Sequence, residues 1–447
     1  MKILGRRWLQ TSAVAIVAVT LSAGDAFARA GYSVSQESVS GAGVAYSGGT
    51  AAGTDASIIW SNPAAMTLFD RSQIVFGAHF LSPDVDYDEI NSTLGNTRLI
   101  GGEGGQGGVD IAIPHLYGLW SYSPDLKFGI GINTPYGLRT DYNVGWIGRY
   151  NELTTALTTF NVNPALGYRI NNKISIGGGF NVSYARARLT QAIDFGSICV
   201  AALGAVACNG LGLAPQQNDG IGEFRGSDID WGYNLGVLYE WSPRTRFGAS
   251  FRSKQEYEFD GDGVFGVPAA AQAILAAGQF VGQRANAKLP IPPSASLSAY
   301  HDVNGRWAVM ADVTWTGWST FEEVRINFAF PSQPANVIRT EWNNVFRVAG
   351  GATYAWNEQL MLRSGLAFDE SPISTAFRGP GIPDSDRIII AVGAGYKLRE
   401  GLTIDAGYQH LFFSDGFSNR ISPTGSVTRG VFKVDVDVFT MGATWTF

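Results

Sequence analysis

The segment NNKISIGGGFNVSYARARL, residues 171–189, opens with a polar turn and continues as a strand with two unlike faces. Ile174, Ile176, Phe180, Val182 and Tyr184 share one face with Gly178, while Lys173, Ser175, Gly177, Gly179, Asn181 and Ser183 share the other. Successive side chains of a strand point to opposite sides, so one side here is apolar and the other polar or tiny. A half-buried strand of a soluble sheet alternates in the same way. Length separates the two cases. Ile174 to Tyr184 matches the roughly 9–11 tilted residues with which a barrel strand crosses a bilayer, and Tyr184 ends it where an interfacial aromatic sits.

Working outward, the same pattern recurs between turn signals. Short turns fall at Ser123-Pro124-Asp125, Asn171-Asn172, Ser242-Pro243-Arg244, Asn304-Gly305, Asn357-Glu358 and Arg399-Glu400-Gly401, all built from residues that turns favour. Long connections lie between them, near 84–110, 139–154, 194–228, 261–290, 317–340, 370–385 and 413–430. Six short turns alternating with seven long loops predict fourteen strands. An even strand number with loops sorted by length onto two rims is the outer-membrane arrangement. Trp307, Val309, Ala311, Val313 and Trp315 form another one-sided strand, as do Phe346, Val348, Gly350, Ala352, Tyr354 and Trp356. The chain ends on Phe439, Met441, Ala443, Trp445 and Phe447, whose pairing with the first strand would leave no open edge in lipid. The expected fold is an all-β, fourteen-stranded antiparallel transmembrane barrel.

Composition agrees. Of 447 residues, 45% are hydrophobic and 16% charged, yet no segment of the mature chain reads as a transmembrane helix. Two Cys and four His leave little material for a metal cluster, and no cofactor is implied. The formal charge of −6 gives nucleic-acid binding no support. Lys2, Arg6 and Arg7, an apolar run from Ala13 to Leu21, and Ala26-Phe27-Ala28 read as a signal peptide over residues 1–28, with Ala28-Arg29-Ala30 a second cleavage choice. An exported chain meets an oxidising compartment, where Cys199 and Cys208 can pair; two buried free thiols are the alternative.

Residues 29–71 show no sustained alternation, but Ile58, Ile59, Trp60, Met66, Leu68 and Phe69 need burial. A plug inside the barrel formed by residues 72–447 would bury them. Asn62-Pro63-Ala64 is a turn signature within it. The strand at 126–138 alternates well and then meets Pro135 and Gly137, so it either ends there or kinks and opens the wall. Two loops are unusually apolar. Ile198–Leu213 includes Leu203 and Val206 and is cinched by the two Cys; Val264–Val281 includes Ile274, Leu275 and Phe280, with an Ala-rich helix expected after Pro268. Such loops either bind an apolar molecule or bury each other as a lid.

These stretches make the chain resemble the FadL-type outer-membrane transporters of hydrophobic compounds, whose best-known members import long-chain fatty acids. The resemblance covers the whole mature chain and rests on AGYSVSQESVSGAGVAYSG, SNPA, TPYGLRTDYN, YRINNKISIGGGFNVSYARARL, WTGWSTFEEVRI, GLAFDESPI with GIPDSDR, and the terminal aromatic strand. It implies a hatch over about 29–71, with Asn62, Pro63 and Ala64 beside a kink of the third strand at Pro135, Tyr136, Gly137 and Leu138. The kink opens a lateral exit. It also implies capture of ligand between the third and fourth extracellular loops, here 194–228 and 261–290, and a ligand carboxylate held by basic residues. The basic position after Trp-Ser corresponds to Arg325; a second falls on the neutral Gln191, which parity places on the lumen side. Losing half its cationic partners would cost a buried carboxylate much of its compensation. A fatty acid held by Arg325 alone and a neutral aromatic or aliphatic hydrocarbon are therefore both open. Arg186 and Arg188 share the outward parity of Tyr184 and are expected to meet lipopolysaccharide phosphates. A monomer in the outer membrane of a Gram-negative bacterium is expected.

Other classes fit less well. A hydrolase would draw on His79, His115, His301 or His410, but no G-x-S-x-G stands out. A general porin for polar solutes needs neither apolar loops nor a plug. A surface receptor leaves no trace in sequence.

Overall fold

The computed structural model describes residues 31–447 apart from positions 35 and 423; the expected signal peptide lies outside the described residues. Fourteen antiparallel strands form one closed sheet. They are β1 (Gln73–Glu89), β2 (Ile111–Ser121), β3 (Leu126–Asn133 and Gly137–Asp141), β4 (Thr154–Arg169), β5 (Ile174–Asp194), β6 (Asp219–Ser242) and β7 (Thr245–Arg252 and Gln255–Gly266). The second half comprises β8 (Gln283–Ile291 and Ser294–Asp302), β9 (Trp307–Thr316 and Glu323–Phe328), β10 (Asn336–Arg339 and Val345–Ala355), β11 (Leu360–Asp369), β12 (Arg387–Arg399), β13 (Leu402–Phe413 and Gly416–Ile421) and β14 (Ser426–Thr446). Each pairs with its chain neighbour, and β1 pairs with β14 from Gln73↔Thr446 to Glu89↔Gly430, which closes the barrel. No sheet edge is left to face lipid along that seam.

The opening segment has the expected faces. Ile174, Ile176, Phe180, Val182 and Tyr184 are exposed on the outside, whereas Ser175, Asn181 and Ser183 are buried inside. The strand does not stop at Tyr184 but continues to Asp194, and β6 and β7 rise with it. Parts of the expected loops 194–228 and 261–290 are thus wall rather than loop.

Residues 31–71 fill the lumen with two short helices, α1 (Val39–Ala42) and α2 (Ile58–Ser61), and a 3-10 segment at Pro63–Leu68. Ile58, Ile59, Trp60 and Met66 are buried against Tyr117, Leu119 and Leu238 of the wall. Wall side chains hold the backbone of this hatch. Arg347 donates to Ala45 O at 2.5 Å, Arg246 to Ala52 O at 2.7 Å, Arg252 to Trp60 O at 2.6 Å, Arg169 to Thr67 O at 2.7 Å and Gln409 to Ala42 O at 2.7 Å. Each gives a hatch carbonyl a hydrogen-bond partner inside the lumen, where water is scarce. Lumen glycines permit the contact: a Cβ on Gly177 would stand 2.3 Å from Ala64 N, and one on Gly236 would meet the Asn62 side chain at 1.9 Å.

Candidate functional site

The third strand is broken where Pro135 falls. Residues 134–136 face only two residues of β4, between the pairs Asn133↔Asn161 and Gly137↔Thr158, which is a one-residue bulge. Pro135 has no N–H to give the ladder, and Thr159 replaces the lost backbone pairing by taking Tyr136 N at 3.2 Å and giving its hydroxyl to Tyr136 O at 2.5 Å. On the other side, the β2–β3 ladder stops at Leu116↔Ile132. The next contact is the isolated bridge Gly108↔Thr140. Between them Ile111–His115 pair with β1 alone. The wall has a window there.

The first described residues of the hatch sit at that window. Ser33 bridges Tyr136, Val34 N donates to Pro135 O and Gly137 N donates to Tyr32 O, both at 2.9 Å. Gly31 N donates to Asp384 at 3.1 Å, and the Tyr32 hydroxyl donates to Pro290 O at 2.5 Å. The Tyr32 ring packs edge-on against Trp318 and Phe321, with Trp342 beside it.

Two cavities stack above Tyr32. The lower, about 100 Å³, is lined by Tyr32, Leu138, Leu157, Phe224, Phe259 and Trp342 among others. The upper, about 340 Å³, is lined by Gln191, Ile193, Ile198, Phe265, Phe280 and Phe328 among others. Glu152, Leu189, Phe224 and Ile338 border both, so the two are continuous neighbours. The upper volume falls in the range of small-molecule pockets, which are mainly apolar with a few orienting polar groups. Glu152 borders both cavities, Arg420 the lower one, and Thr190, Gln191, Gln333 and Asn336 the upper one. Burial pushes the Glu152 carboxyl up, against the pull of Arg420 and the Gly381 amide. Arg420 donates to Arg339 O at 2.6 Å.

A lid covers the upper cavity. Cys199 and Cys208 are bonded, joining α3 (Phe195–Leu203) to α4 (Ala205–Gly210). Ile193, Phe195, Cys199, Cys208, Leu213 and Ala271 form its core, with Ile274, Leu275 and Phe280 packed on it. The two apolar loops therefore bury each other. The expected helix after Pro268 is a 3-10 turn, Ala269–Ile274.

The expected site residues divide accordingly. Gln191 and Phe280 line the upper cavity, and Gln191 accepts from Asn336 at 3.4 Å. Ile274 and Leu275 are lid core rather than cavity wall. Leu203 and Val206 point to solvent, Val206 at 91% exposure, because the disulfide turns the opposite faces of their helices inward. Arg325 is on the outer wall, bound to Glu323 at 2.7 Å, while its neighbours Val324 and Ile326 line the lumen. Asn62, Pro63 and Ala64 do not lie beside the kink. They dock on Gly167, Gly177 and Gly236 of β4–β6, where Asn62 also caps the 3-10 segment through Ala64 N. Pro135, Tyr136 and Gly137 do form the break, with residues 31–34 as their neighbours. Sequence reasoning missed Tyr32, Glu152, Asp384 and Arg420.

A closed, lumen-plugged barrel with an apolar cavity and a broken strand defines a class: outer-membrane transport proteins whose barrel is filled by a hatch. The profile of the family described as outer membrane protein transport protein (OMPP1/FadL/TodX) matches residues 19–447, and the chain belongs to that family and to the outer membrane. It is 29% identical to the long-chain fatty acid transport protein of Escherichia coli O6:H1 over 91% of this chain and 92% of that one. It is 29% identical to the 47 kDa outer membrane protein of Pasteurella multocida over 90% of each. Among solved structures, a Pseudomonas aeruginosa FadL homologue superposes with a TM-score of 0.86 at 23% identity, covering 94% of this chain and 100% of that one. The Ralstonia pickettii toluene transporter TbuX gives 0.65 at 16%, covering 90% and 96%. The barrel and its hatch are the fold of that group.

Proposed function

We propose that this transporter takes up hydrophobic molecules passively and releases them sideways into the outer membrane. The observation that carries it is that the two cavities share lining residues and that Tyr32, which lines the lower one, belongs to the segment bonded to the strand break at the window. A ligand partitions beneath the lid, where each buried CH₂ is worth about 0.8 kcal/mol. It descends from the Phe280 level to the Trp342 level, and displacement of residues 31–34 joins the lower cavity to the break at Pro135. Lateral exit spares an apolar molecule a passage through water. The hatch body stays in place, since four arginines from three strands clamp residues 45–67, and the chain acts as a monomer.

Long-chain fatty acid is the leading ligand, in line with the name of the Escherichia coli relative. Arg420, rather than Arg325, is the cation placed to meet its carboxylate. A second reading, neutral aromatic or aliphatic hydrocarbon, is favoured by the neutral Gln191 and by Glu152, which already compensates Arg420.

Native mass spectrometry of protein extracted from cells tests both, followed by competition between a fatty acid and a neutral hydrocarbon. Retained fatty acid that Arg420→Gln abolishes supports the first reading. Hydrocarbon retention indifferent to that substitution supports the second. Steady ion conductance in a bilayer with no bound hydrophobic molecule would sink both.

A further inference from the structure

Arginines project from the outer wall just above the apolar belt, on the strands next to the window. The register sets their height. Arg139 of β3 pairs with Ala156 of β4, Ala156 with Arg188 of β5, and Arg188 with Arg225 of β6, so three guanidiniums share one rung. Arg186 stands one step lower on β5, opposite Ser227. All four face outward, since their neighbours Leu138, Ala185, Ala187 and Phe224 are buried inside. Beneath them Phe160, Tyr184, Ile229 and Trp231 are exposed and end the apolar belt. Two strand residues advance by about 6–7 Å, which puts Arg186 one such step above Tyr184 and the rung two. That is headgroup depth.

The charges are not balanced. Glu223 pairs with Arg188 at 3.0 Å and with Arg225, and Asp141 lies 3.9 Å from Arg139. Arg186 has no ion-pair partner among the described residues. Within β3–β6 two carboxylates thus answer four guanidiniums; on β7, Asp262 stands opposite Arg225 but pairs with Arg284 at 3.1 Å, and Asp260 stands opposite Ser227. Arg188 and Arg225 are directly opposite each other and share the single carboxylate of Glu223, which leaves one positive charge over on that pair. The Nε atoms of Arg139 and Arg188 are buried without an acceptor.

We propose that this face of β3–β6 binds the phosphates of lipopolysaccharide, seating one such molecule at the rim of the window. Guanidinium forks match phosphate oxygens two bonds at a time. A glycolipid with two phosphates spans the spread from Arg139 to Arg225 better than a lipid with one. The apolar residues below meet its acyl chains.

The test uses the full chain in nanodiscs of uncharged lipid, titrated with bisphosphorylated lipid A, dephosphorylated lipid A and phosphatidylglycerol. The bisphosphorylated lipid should bind at least about tenfold more tightly than the other two. Arg186→Gln with Arg225→Gln should remove that preference, and Glu223→Gln should strengthen binding. If the double variant does not fold, as judged by heat-modifiable mobility, Arg186→Gln alone serves, because its side chain makes no hydrogen bond or ion pair to another described residue. Equal binding of the three lipids overturns the proposal, as does wild-type binding by the folded variant. No transported ligand is involved, so the outcome is independent of uptake.

Discussion

The backbone amide of Gly31 donates to the carboxylate of Asp384 at 3.1 Å, tying the start of the described hatch to the loop between β11 and β12. The same carboxylate accepts from Ser371 at 2.7 Å and pairs with Arg387 at 3.0 Å. Burial raises the Asp384 carboxyl, and Arg387, Ser371 and Gly31 oppose the rise. A hydrogen bond to a charged group contributes about 1.5–3 kcal/mol, a factor of ten or more in local opening. Asp384→Asn keeps the shape and removes the charge. Hydrogen exchange at residues 31–34 should speed up about tenfold while exchange in α2 stays unchanged, and equal rates would show that the carboxylate does not hold the segment.

Ser33 and Tyr136 are a non-hydrogen-bonded pair, flanked by the bonds from Val34 and Gly137, and such pairs have Cα atoms about 4.5 Å apart. A disulfide fits that spacing. Ser33→Cys with Tyr136→Cys should lock the segment over the break and cut uptake of a labelled hydrophobic ligand at least about tenfold, with recovery on reduction. Unchanged uptake in the oxidised variant would place the exit elsewhere.

If the ligand is a fatty acid, as proposed, Glu152 and Arg420 make its binding pH-dependent. A raised Glu152 pKa means that its charge is lost at a higher pH than for a free carboxylate. Below that point Arg420 is no longer compensated, so fatty-acid affinity should rise as pH falls from 7 toward 5. Glu152→Gln should bind more tightly at pH 7 and flatten the profile. Arg325→Ala should leave affinity within about twofold, as a screened surface pair predicts. Isothermal titration of the wild type and the two variants checks these together.

Gly177 lets the hatch touch the wall. Gly177→Ala would drive a Cβ against the backbone of Ala64, which cannot step aside without moving the 3-10 segment. Overpacking of this kind costs about 1–3 kcal/mol. Thermal unfolding followed by heat-modifiable mobility should shift downward, whereas Gly350→Ala, with open space around it, should not.

Removing the disulfide should affect the lid alone. Cys199 and Cys208 are nine residues apart, and closing a loop that short contributes about 2–3 kcal/mol by the chain-entropy estimate. Cys199→Ser with Cys208→Ser should expose α3 and α4 to protease while the barrel stays folded.

What the sequence by itself determined is the wall. Side-chain direction alternates with each peptide unit, so the parity of Ile174 to Tyr184 carried the inside and outside of β5 as far as Gln191, and turn residues set the strand count. The same parity, followed from Trp315, places Arg325 outside; the interruption at Gly317–Phe321 hid this without resetting it. Pro135 announced the break because a missing N–H is a property of the residue. What only the tertiary structure decided is which distant segments meet. Asn62-Pro63-Ala64 docks on glycines of β4–β6, and Gly31–Val34 takes the place at the kink. Glu152, from the connection between β3 and β4, and Arg420, on β13, reach one cavity from far apart in the chain. Hatch and loops have no period to read, and their positions follow from which wall sites offer room and hydrogen-bond partners once the barrel has closed.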